Sequence, residues 1–250
     1  MSEYDRIAEL YDVDMGRNMA FDDVGFYAGL CTPGARVLEL GCGNGRILLE
    51  LAARGVDVVG VDASAGMLAV LERKARERSL PAVVARMDVR ALALRRAFDV
   101  VLCPYSLATY LVDDLAFSDM ARGVHGVLRP EGRLVIDAFI PRRVTSSAAF
   151  KLDYRRPYDT GELVRWKRIT ALDDERNRIE RRYERFGEDR TLQETISVSE
   201  TVRPLSPQKL RALLIANGFA PEREWWDYGY SESEDTAQFL TIGARAATAI

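Results

Sequence analysis

Three glycines, each separated by one residue, follow an apolar run in the stretch VLELGCGNGRI at residues 37–47. Glycine has no Cβ atom, so such a turn lets a ligand come close to the backbone N–H groups that begin a helix. An acid, Glu39, lies two residues before the first glycine, Gly41. Because a carboxylate would repel a pyrophosphate, this pattern favours a ligand that carries an amine or another positive centre.

A dinucleotide-binding turn is the main alternative, because it also places glycines between a strand and a helix. That motif has the spacing G-x-G-x-x-G. Here the third glycine is Gly45, and Arg46 occupies the position of the last glycine in the dinucleotide motif. The spacing therefore counts against an NAD(P)-binding oxidoreductase, which stays open as an alternative.

Two further carboxylates end the next two apolar runs. Asp62 closes VVGVD, where it suits hydrogen bonds to ribose hydroxyls. Asp88 closes ARMD, where it could accept a hydrogen bond from an adenine amino group, with Met67 and Met87 as apolar contacts to the ring. Each acid alone could cap a helix or lie in a loop, but all three acids in this order favour a ligand site.

The elements that must position these residues alternate between strands and helices up to about residue 140. Five apolar runs predict strands, and helical periodicity separates them. Ser64 suits the N-cap of one helix, and Pro130 is expected to stop another. This rhythm is typical of βαβ units and predicts an α/β fold with a doubly wound, mostly parallel sheet.

The pattern changes after Pro141, where helical periodicity disappears. Runs of alternating residues, joined by turn-like segments, predict an antiparallel meander over about 150–203, inserted after the fifth strand. A helix follows, with Ser206 as N-cap and Gly218 just past its end, and then two more strands.

Composition restricts the functional classes. The 250 residues carry a net charge of −3 and a pI near 5.5, which argues against a general nucleic-acid binder. The sequence shows neither a signal-peptide pattern nor a membrane-length apolar run. Three cysteines without a CxxC pair indicate a reducing cytoplasm. The single histidine, His125, is expected to be structural, and no cluster predicts a metal.

Taken in order, VLELGCGNGRI, VVGVDAS, MDVRAL, FDVVLC and VLRPEGRLVID resemble class I S-adenosylmethionine-dependent methyltransferases over about 30–140. The resemblance implies S-adenosylmethionine as methyl donor and a Rossmann-like sheet of seven strands that ends in an antiparallel hairpin. It also implies that the glycine turn contacts the methionyl and ribose parts and that Asp62 binds the ribose. The residues predicted to contact the donor are Tyr11, Arg17, Glu39, Gly41, Cys42, Gly43, Gly45, Asp62, Ala63, Met67, Met87, Asp88, Val89 and Cys103.

The N-terminal stretch YDRIAELYD resembles the lid of small-molecule N-methyltransferases that act on amino sugars in antibiotic pathways. Tyr4 and Tyr11 are seven residues apart and would share a face of a helix. The resemblance implies that they close over the sulfonium and the acceptor, and tyrosine oxygens and ring faces both suit a cation. Arg17 could bind the carboxylate of the donor.

The methyl acceptor is less defined by the sequence. Methyl transfer from a sulfonium needs alignment, exclusion of water and a neutral nucleophile, and a strong base is more useful for an alcohol than for an amine. The segment CPYSLATYL follows the fourth strand, at the edge where open α/β sheets bind ligands. The candidate catalytic residues are Tyr4, Tyr11 and Tyr105, and the candidate acceptor-binding residues are Tyr105, Ser106, Thr109, Tyr110, Trp166 and Arg203.

The sequence therefore predicts a cytoplasmic methyltransferase that acts on an amine of an amino sugar or another secondary metabolite. Its alternatives are a small-molecule O-methyltransferase, the NAD(P)-binding oxidoreductase and a non-catalytic protein that binds S-adenosylmethionine. Neither a nucleic-acid partner nor a membrane partner is expected. The predicted segments are an N-terminal helical lid (1–30), the donor-binding core (31–140), a β insertion (141–204) that roofs the acceptor or forms a homo-oligomer interface, and a C-terminal helix with a hairpin (205–250).

Overall fold

The computed structural model describes residues 3–15, 19–32, 34–95, 97–141 and 149–247. Its strands, in chain order, are β1 (Arg36–Leu40), β2 (Asp57–Asp62), β3 (Val83–Arg86), β4 (Phe98–Cys103), β5 (Leu128–Phe139), β6 (Lys151–Tyr158), β7 (Gly161–Ala171), β8 (Asn177–Phe186), β9 (Leu192–Val202), β10 (Phe219–Trp226) and β11 (Phe239–Ala246). Its α-helices are α1 (Tyr11–Met15), α2 (Asp23–Leu30), α3 (Leu48–Ala53), α4 (Ala65–Glu77), α5 (Asp114–Val127) and α6 (Pro207–Ala216).

Seven strands form the larger sheet, in the order β10-β11-β5-β4-β1-β2-β3. The pairs among β1 to β5 are parallel, whereas β11 runs antiparallel to both β5 and β10. The predicted α/β fold, with a mostly parallel sheet and an antiparallel final hairpin, is confirmed. The strand order reverses on either side of β1, and open sheets of this kind bind ligands beyond the carboxyl ends of the strands at that point.

The second sheet is an antiparallel meander of four strands, in the order β6-β7-β8-β9. It follows β5, as the loss of helical periodicity indicated. The alternation in β9 places Val198 and Val202 in the buried layer, whereas Ser197 and Ser199 are exposed. The first strand, β6, has no clean alternation of apolar and polar residues, so the sequence does not identify it as a separate strand.

Both faces of the larger sheet are covered, as continuous apolar strands require. One core layer includes Leu38, Phe117 and Leu214, and the other includes Val37, Leu48 and Leu71. A third, smaller cluster joins residues 3–15, which we call the N-terminal segment, to the second sheet. It consists of Ile7, Leu10, Leu163, Tyr183 and Val198. This third cluster fixes the N-terminal segment over the carboxyl edge of the larger sheet.

Among the helix ends predicted from single residues, two N-caps are confirmed and one stop position is wrong. The N-caps are confirmed, because the Ser64 side chain accepts from the Met67 N–H and the Ser206 side chain accepts from the Lys209 N–H. The expectation that Pro130 stops a helix is wrong: α5 ends at Val127, and Pro130 lies early in β5, where the pairing with β4 shifts register. An irregular strand end tolerates a missing N–H donor.

The N-terminal segment is also less helical than its spacing predicted. Within residues 3–15, Glu3–Arg6 form a 3₁₀ turn, and only Tyr11–Met15 is α-helical. Tyr4 and Tyr11 therefore do not share one continuous helix, although their rings are in edge contact with centroids 6.2 Å apart. Among the described residues no helix is long and apolar enough to cross a membrane.

Candidate active site

A first cavity of about 350 Å³ lies beyond the carboxyl ends of β1, β2 and β4, beneath the N-terminal segment. Nine of the residues predicted to contact the donor line it. They are Tyr11, Gly41, Gly43, Asp62, Ala63, Met67, Met87, Asp88 and Val89. Arg17 lies outside the described residues.

The glycine turn serves this cavity and the core in different ways. Gly43 has a left-handed φ of +52°, and a Cβ atom there would meet only the Gly41 carbonyl oxygen, at 4.0 Å. Gly45 also has a positive φ, but its Cβ would lie 2.8 Å from the side chain of Leu71. Gly43 therefore leaves open space beside the cavity, whereas Gly45 allows close packing against α4.

Asp62 joins the turn after β1 to the turn after β2. Its two carboxylate oxygens accept hydrogen bonds from the N–H of Gly43, at 2.9 Å, and from the N–H of Ser64, at 2.8 Å. Burial raises the pKa of Asp62, and the two backbone donors oppose that rise. Asp88 forms a 2.5 Å ion pair with Arg90, which lowers the pKa of Asp88. Both carboxylates thus border the cavity with hydrogen-bond acceptors.

Four other predicted donor contacts lie behind the cavity wall: Glu39, Cys42, Gly45 and Cys103. The Glu39 side chain is only 2% exposed, and its Oε2 has no hydrogen-bond partner among the described residues. Burial raises the pKa of Glu39, which the Arg46 guanidinium opposes. The thiols of Cys42 and Cys103 are buried, and burial raises the pKa of both. The two cysteines therefore pack as small apolar residues.

A second cavity of about 330 Å³ lies between the N-terminal segment, the loop after β4 and the second sheet. Four tyrosines line both cavities, and we call them the tyrosine wall: Tyr4, Tyr11, Tyr105 and Tyr110. The second sheet adds Asp153, Arg165, Lys167, Arg181 and Tyr183 to the second cavity alone. The structure thus brings all three candidate catalytic tyrosines to the boundary between two cavities.

Hydroxyl and ring contacts connect the tyrosine wall. The hydroxyls of Tyr4 and Tyr110 are 2.7 Å apart, and the Arg46 guanidinium lies 5.3 Å from the centre of the Tyr105 ring. Burial raises the pKa of all four tyrosines, that of Tyr105 to about 12. Their hydroxyls are therefore neutral near physiological pH and can orient a ligand, but they cannot remove a proton as phenolates.

The charged part of the second cavity consists of ion pairs between distant segments. Asp14 on α1 pairs with Arg165 on β7 and also accepts from the hydroxyls of Tyr154, at 2.7 Å, and Tyr183, at 3.2 Å. Arg165 also contacts Asp153 at 2.6 Å. The sequence analysis singled out neither Asp14 nor Arg165 and missed this group. The signal was a charge inside the apolar run LVRW.

Four predicted acceptor-binding residues do not line either cavity. The Ser106 Oγ accepts from the Phe139 N–H at 2.8 Å, and the Thr109 hydroxyl donates to the Ser106 carbonyl at 2.7 Å. Trp166 alternates with the cavity-lining Arg165 and Lys167 on β7, and its Nε1 donates to Glu184 at 2.8 Å. Arg203 pairs with Asp114 and Glu175 and lines a separate cavity.

The single histidine, His125, packs against another ring. His125 stacks on Phe219 with ring centres 4.1 Å apart, and its Nε2 lies 2.8 Å from the Asn217 carbonyl oxygen. His125 thus packs from α5 against the start of β10, and it lines neither cavity. In the described part of the chain no group of three His, Cys, Asp or Glu side chains could hold a metal ion.

Comparisons with known proteins agree with this geometry. A family model described as a methyltransferase domain matches residues 37–132. A demethylmenaquinone methyltransferase of Thermus thermophilus is 31% identical over 202 residues, which is 78% of this chain and 78% of that protein.

Two solved structures are similar over nearly the whole chain. An S-adenosylmethionine-dependent methyltransferase from Clostridium acetobutylicum has a TM-score of 0.80 at 17% identity, over 98% of this chain and 100% of that one. The sugar N-methyltransferase KedS8 from a Streptoalloteichus species has a TM-score of 0.70 at 25% identity, over 95% of this chain and 92% of that one.

Proposed function

This chain belongs to the S-adenosylmethionine-dependent methyltransferases, and from that premise we propose that it methylates a nitrogen atom of a small-molecule amine. S-adenosylmethionine is the donor, and when bound it supplies an electrophilic methyl group on a sulfonium. We assign the donor to the first cavity and the acceptor to the second. The tyrosine wall would then lie where the two ligands meet.

The residues of the first cavity fit the donor. The open space beside Gly43 accommodates a group that a side chain would displace. Asp62 and Asp88 offer acceptors to ribose hydroxyls and an adenine amino group, and Met67 and Met87 offer apolar contacts. Glu39 lies behind the cavity wall, so we assign it no direct contact with the donor.

One observation carries the choice of an amine: the tyrosine wall offers neutral hydroxyls and no base. An alcohol must lose a proton as it reacts, so it benefits from a general base, whereas an amine can bind already neutral. Burial keeps the four tyrosines protonated. The carboxylates that line the second cavity, Asp14 and Asp153, are both paired with Arg165. These residues suit orientation of a lone pair better than proton removal.

The N-terminal segment and the β insertion act together in this proposal. The segment closes the top of both cavities through Tyr4 and Tyr11, which would exclude water from the reacting groups. The insertion supplies the far wall of the second cavity, so we assign it to the acceptor rather than to a subunit interface. Amino sugars are the first acceptors to test, because the sugar N-methyltransferase KedS8 shares this fold at 25% identity.

A pH–rate profile with amino-sugar acceptors tests the proposal. We expect kcat/KM to rise about tenfold per pH unit up to the pKa of the acceptor amine and then to level off. No second inflection should arise from a tyrosine below about pH 10, because burial raises these pKa values. Efficient turnover of the matching alcohols, with an alkaline limb that a Tyr→Phe substitution abolishes, would contradict amine methylation.

A further inference from the structure

We propose that Asp137 is a positioning residue for methyl transfer, because its buried carboxylate holds the turn that carries Tyr105 into the tyrosine wall. The inference rests on the proposed function, which places Tyr105 between donor and acceptor. Asp137 is the last residue of the stretch VLRPEGRLVID, but the sequence analysis assigned it no role in binding or catalysis. Its side chain lies behind the cavities and would act only through Tyr105.

The sheet register brings Asp137 to this turn. Cys103, the last residue of β4, pairs with Ile136 of β5, so Asp137 lies opposite the first residues after β4. On its other side Asp137 pairs with Thr241 of β11, and it is fully buried. A side chain at this position can reach the backbone of the Pro104–Leu107 turn from inside the sheet.

Two consecutive backbone amides converge on this carboxylate. The Tyr105 N–H donates to Oδ2 at 2.9 Å, and the Ser106 N–H donates to Oδ1. Both residues have left-handed backbones, with φ of +52° for Tyr105 and +57° for Ser106. That conformation is unfavourable for residues with a Cβ atom, and it persists only where the surroundings fix it. Successive N–H groups in such a turn form an anion-binding concavity, and here Asp137 is the anion.

The carboxylate is held by hydrogen bonds from two further elements. The hydroxyls of Tyr27 on α2 and Tyr228 after β10 both donate to Oδ2. Burial raises the pKa of Asp137, and these four donors oppose the rise. An apolar residue would fill a central strand without this desolvation cost. We infer that the carboxylate is present because it fixes the strained turn, and the consequence of that turn is the position of the Tyr105 ring at the cavity boundary.

The test uses S-adenosylhomocysteine as probe, because Tyr105 lines the donor cavity and this binding needs no acceptor. By isothermal titration, Asp137→Asn should weaken the binding of S-adenosylhomocysteine about tenfold. It replaces one accepting oxygen with an amide NH₂ group that cannot accept a hydrogen bond from the turn. Tyr228→Phe is the matched control. It removes one donor from the same carboxylate, leaves the two amides in place, and should change the affinity less than about twofold although it lowers Tm.

A double-mutant cycle separates positioning from general destabilisation. Tyr105→Ala should weaken binding, and Asp137→Asn should add no further loss of affinity in that background while still lowering Tm. Full additivity of the two affinity losses would overturn the inference, and so would wild-type affinity in a folded Asp137→Asn protein.

A second variant covers the case in which Asp137→Asn does not fold. Ser106→Ala removes the hydroxyl that accepts from the Phe139 N–H, the other anchor of this turn to β5. It should weaken the binding of S-adenosylhomocysteine about threefold. An unchanged affinity would overturn the inference. Failure of amine methylation leaves these titrations unaffected, so the two proposals can fail separately.

Discussion

The two cavities that meet at the tyrosine wall are built from the chain in different ways. The first rests on short turns at the ends of adjacent parallel strands, tied together by backbone groups such as the Gly43 N–H that donates to Asp62. The second depends on side chains from segments more than a hundred residues apart, such as Asp14 and Arg165. The first is a property of the sheet, and the second is a property of how the N-terminal segment and the insertion are held together.

This difference predicts that the two sites can be damaged separately. A change in a turn of the larger sheet should weaken donor binding and thereby all activity. A change in the ion pairs between α1 and β7 should leave donor binding nearly intact and impair only the acceptor step, because those side chains line the second cavity alone. Four substitutions test that separation, from the strongest expected effect to the weakest.

Gly43→Val should have the largest effect. A branched side chain at a left-handed φ is strained, and its Cβ would project into space that we assign to the donor. We expect S-adenosylhomocysteine to bind at least about 100-fold more weakly by isothermal titration. Gly55→Val is the control, since Gly55 also has a positive φ but no neighbour within 4 Å of its Cβ position. If Gly43→Val binds within a few-fold of wild type, the donor lies elsewhere.

Asp14→Asn should affect the acceptor side. It removes the anion from a buried pair with Arg165, which should destabilise the fold by about 3 kcal/mol and loosen the contact between Asp14 and β7. We expect kcat/KM for the acceptor to fall about 30-fold, with the affinity for S-adenosylhomocysteine within about threefold of wild type.

Glu9→Gln provides the comparison for Asp14→Asn. Glu9 lies in the same N-terminal segment and forms an ion pair with Arg73 on α4. This pair is exposed to solvent, so it contributes little to stability. Glu9→Gln should therefore change neither the affinity for S-adenosylhomocysteine nor kcat/KM for the acceptor. If Asp14→Asn instead lowered the affinity for S-adenosylhomocysteine as strongly as it lowered kcat/KM for the acceptor, the two cavities would not be separable.

The larger sheet could be predicted from the sequence because its signals are local. The strand–turn–helix order fixes where the residues after each parallel strand lie, so Gly41, Asp62 and Asp88 could be assigned to one edge before any contact was known. The same logic does not distinguish residues that face the cavity from those one position away. Cys42 and Cys103 belong to the predicted stretches, yet their side chains point into the core.

The second cavity could not be predicted from the sequence, because its contacts are long-range and its residues look like an ordinary strand surface. The charge inside the run LVRW marks Arg165 as unusual, but nothing local in β7 shows that Arg165 meets Asp14 or that Trp166 faces the other side of the sheet. The strand period identifies two faces but not which face is covered. The role of Asp137 could not be predicted for the same reason, because its partners lie on three other elements.

Tyr11→Phe tests the boundary itself and should have a moderate effect. The ring still fills its place against Tyr4, but the hydroxyl that would orient the reacting groups is lost. We expect kcat to fall about tenfold and the affinity for S-adenosylhomocysteine to change less than about threefold. Tyr230→Phe, at a position 63% exposed, should change neither quantity. Equal losses in kcat and in donor affinity would mean that Tyr11 serves only the donor cavity.

Trp166→Phe should have the smallest effect and sharpens the assignment of the two faces of β7. Trp166 donates to Glu184 and lies under the Arg182 guanidinium, on the face opposite the second cavity. We expect the acceptor KM to stay within about twofold of wild type, because this face has no contact with the cavity. The neighbouring Lys167→Met, on the cavity face, should raise that KM about fivefold. The reverse ranking of the two variants would place the acceptor on the outer face of the insertion, and the second cavity would then lose its proposed role.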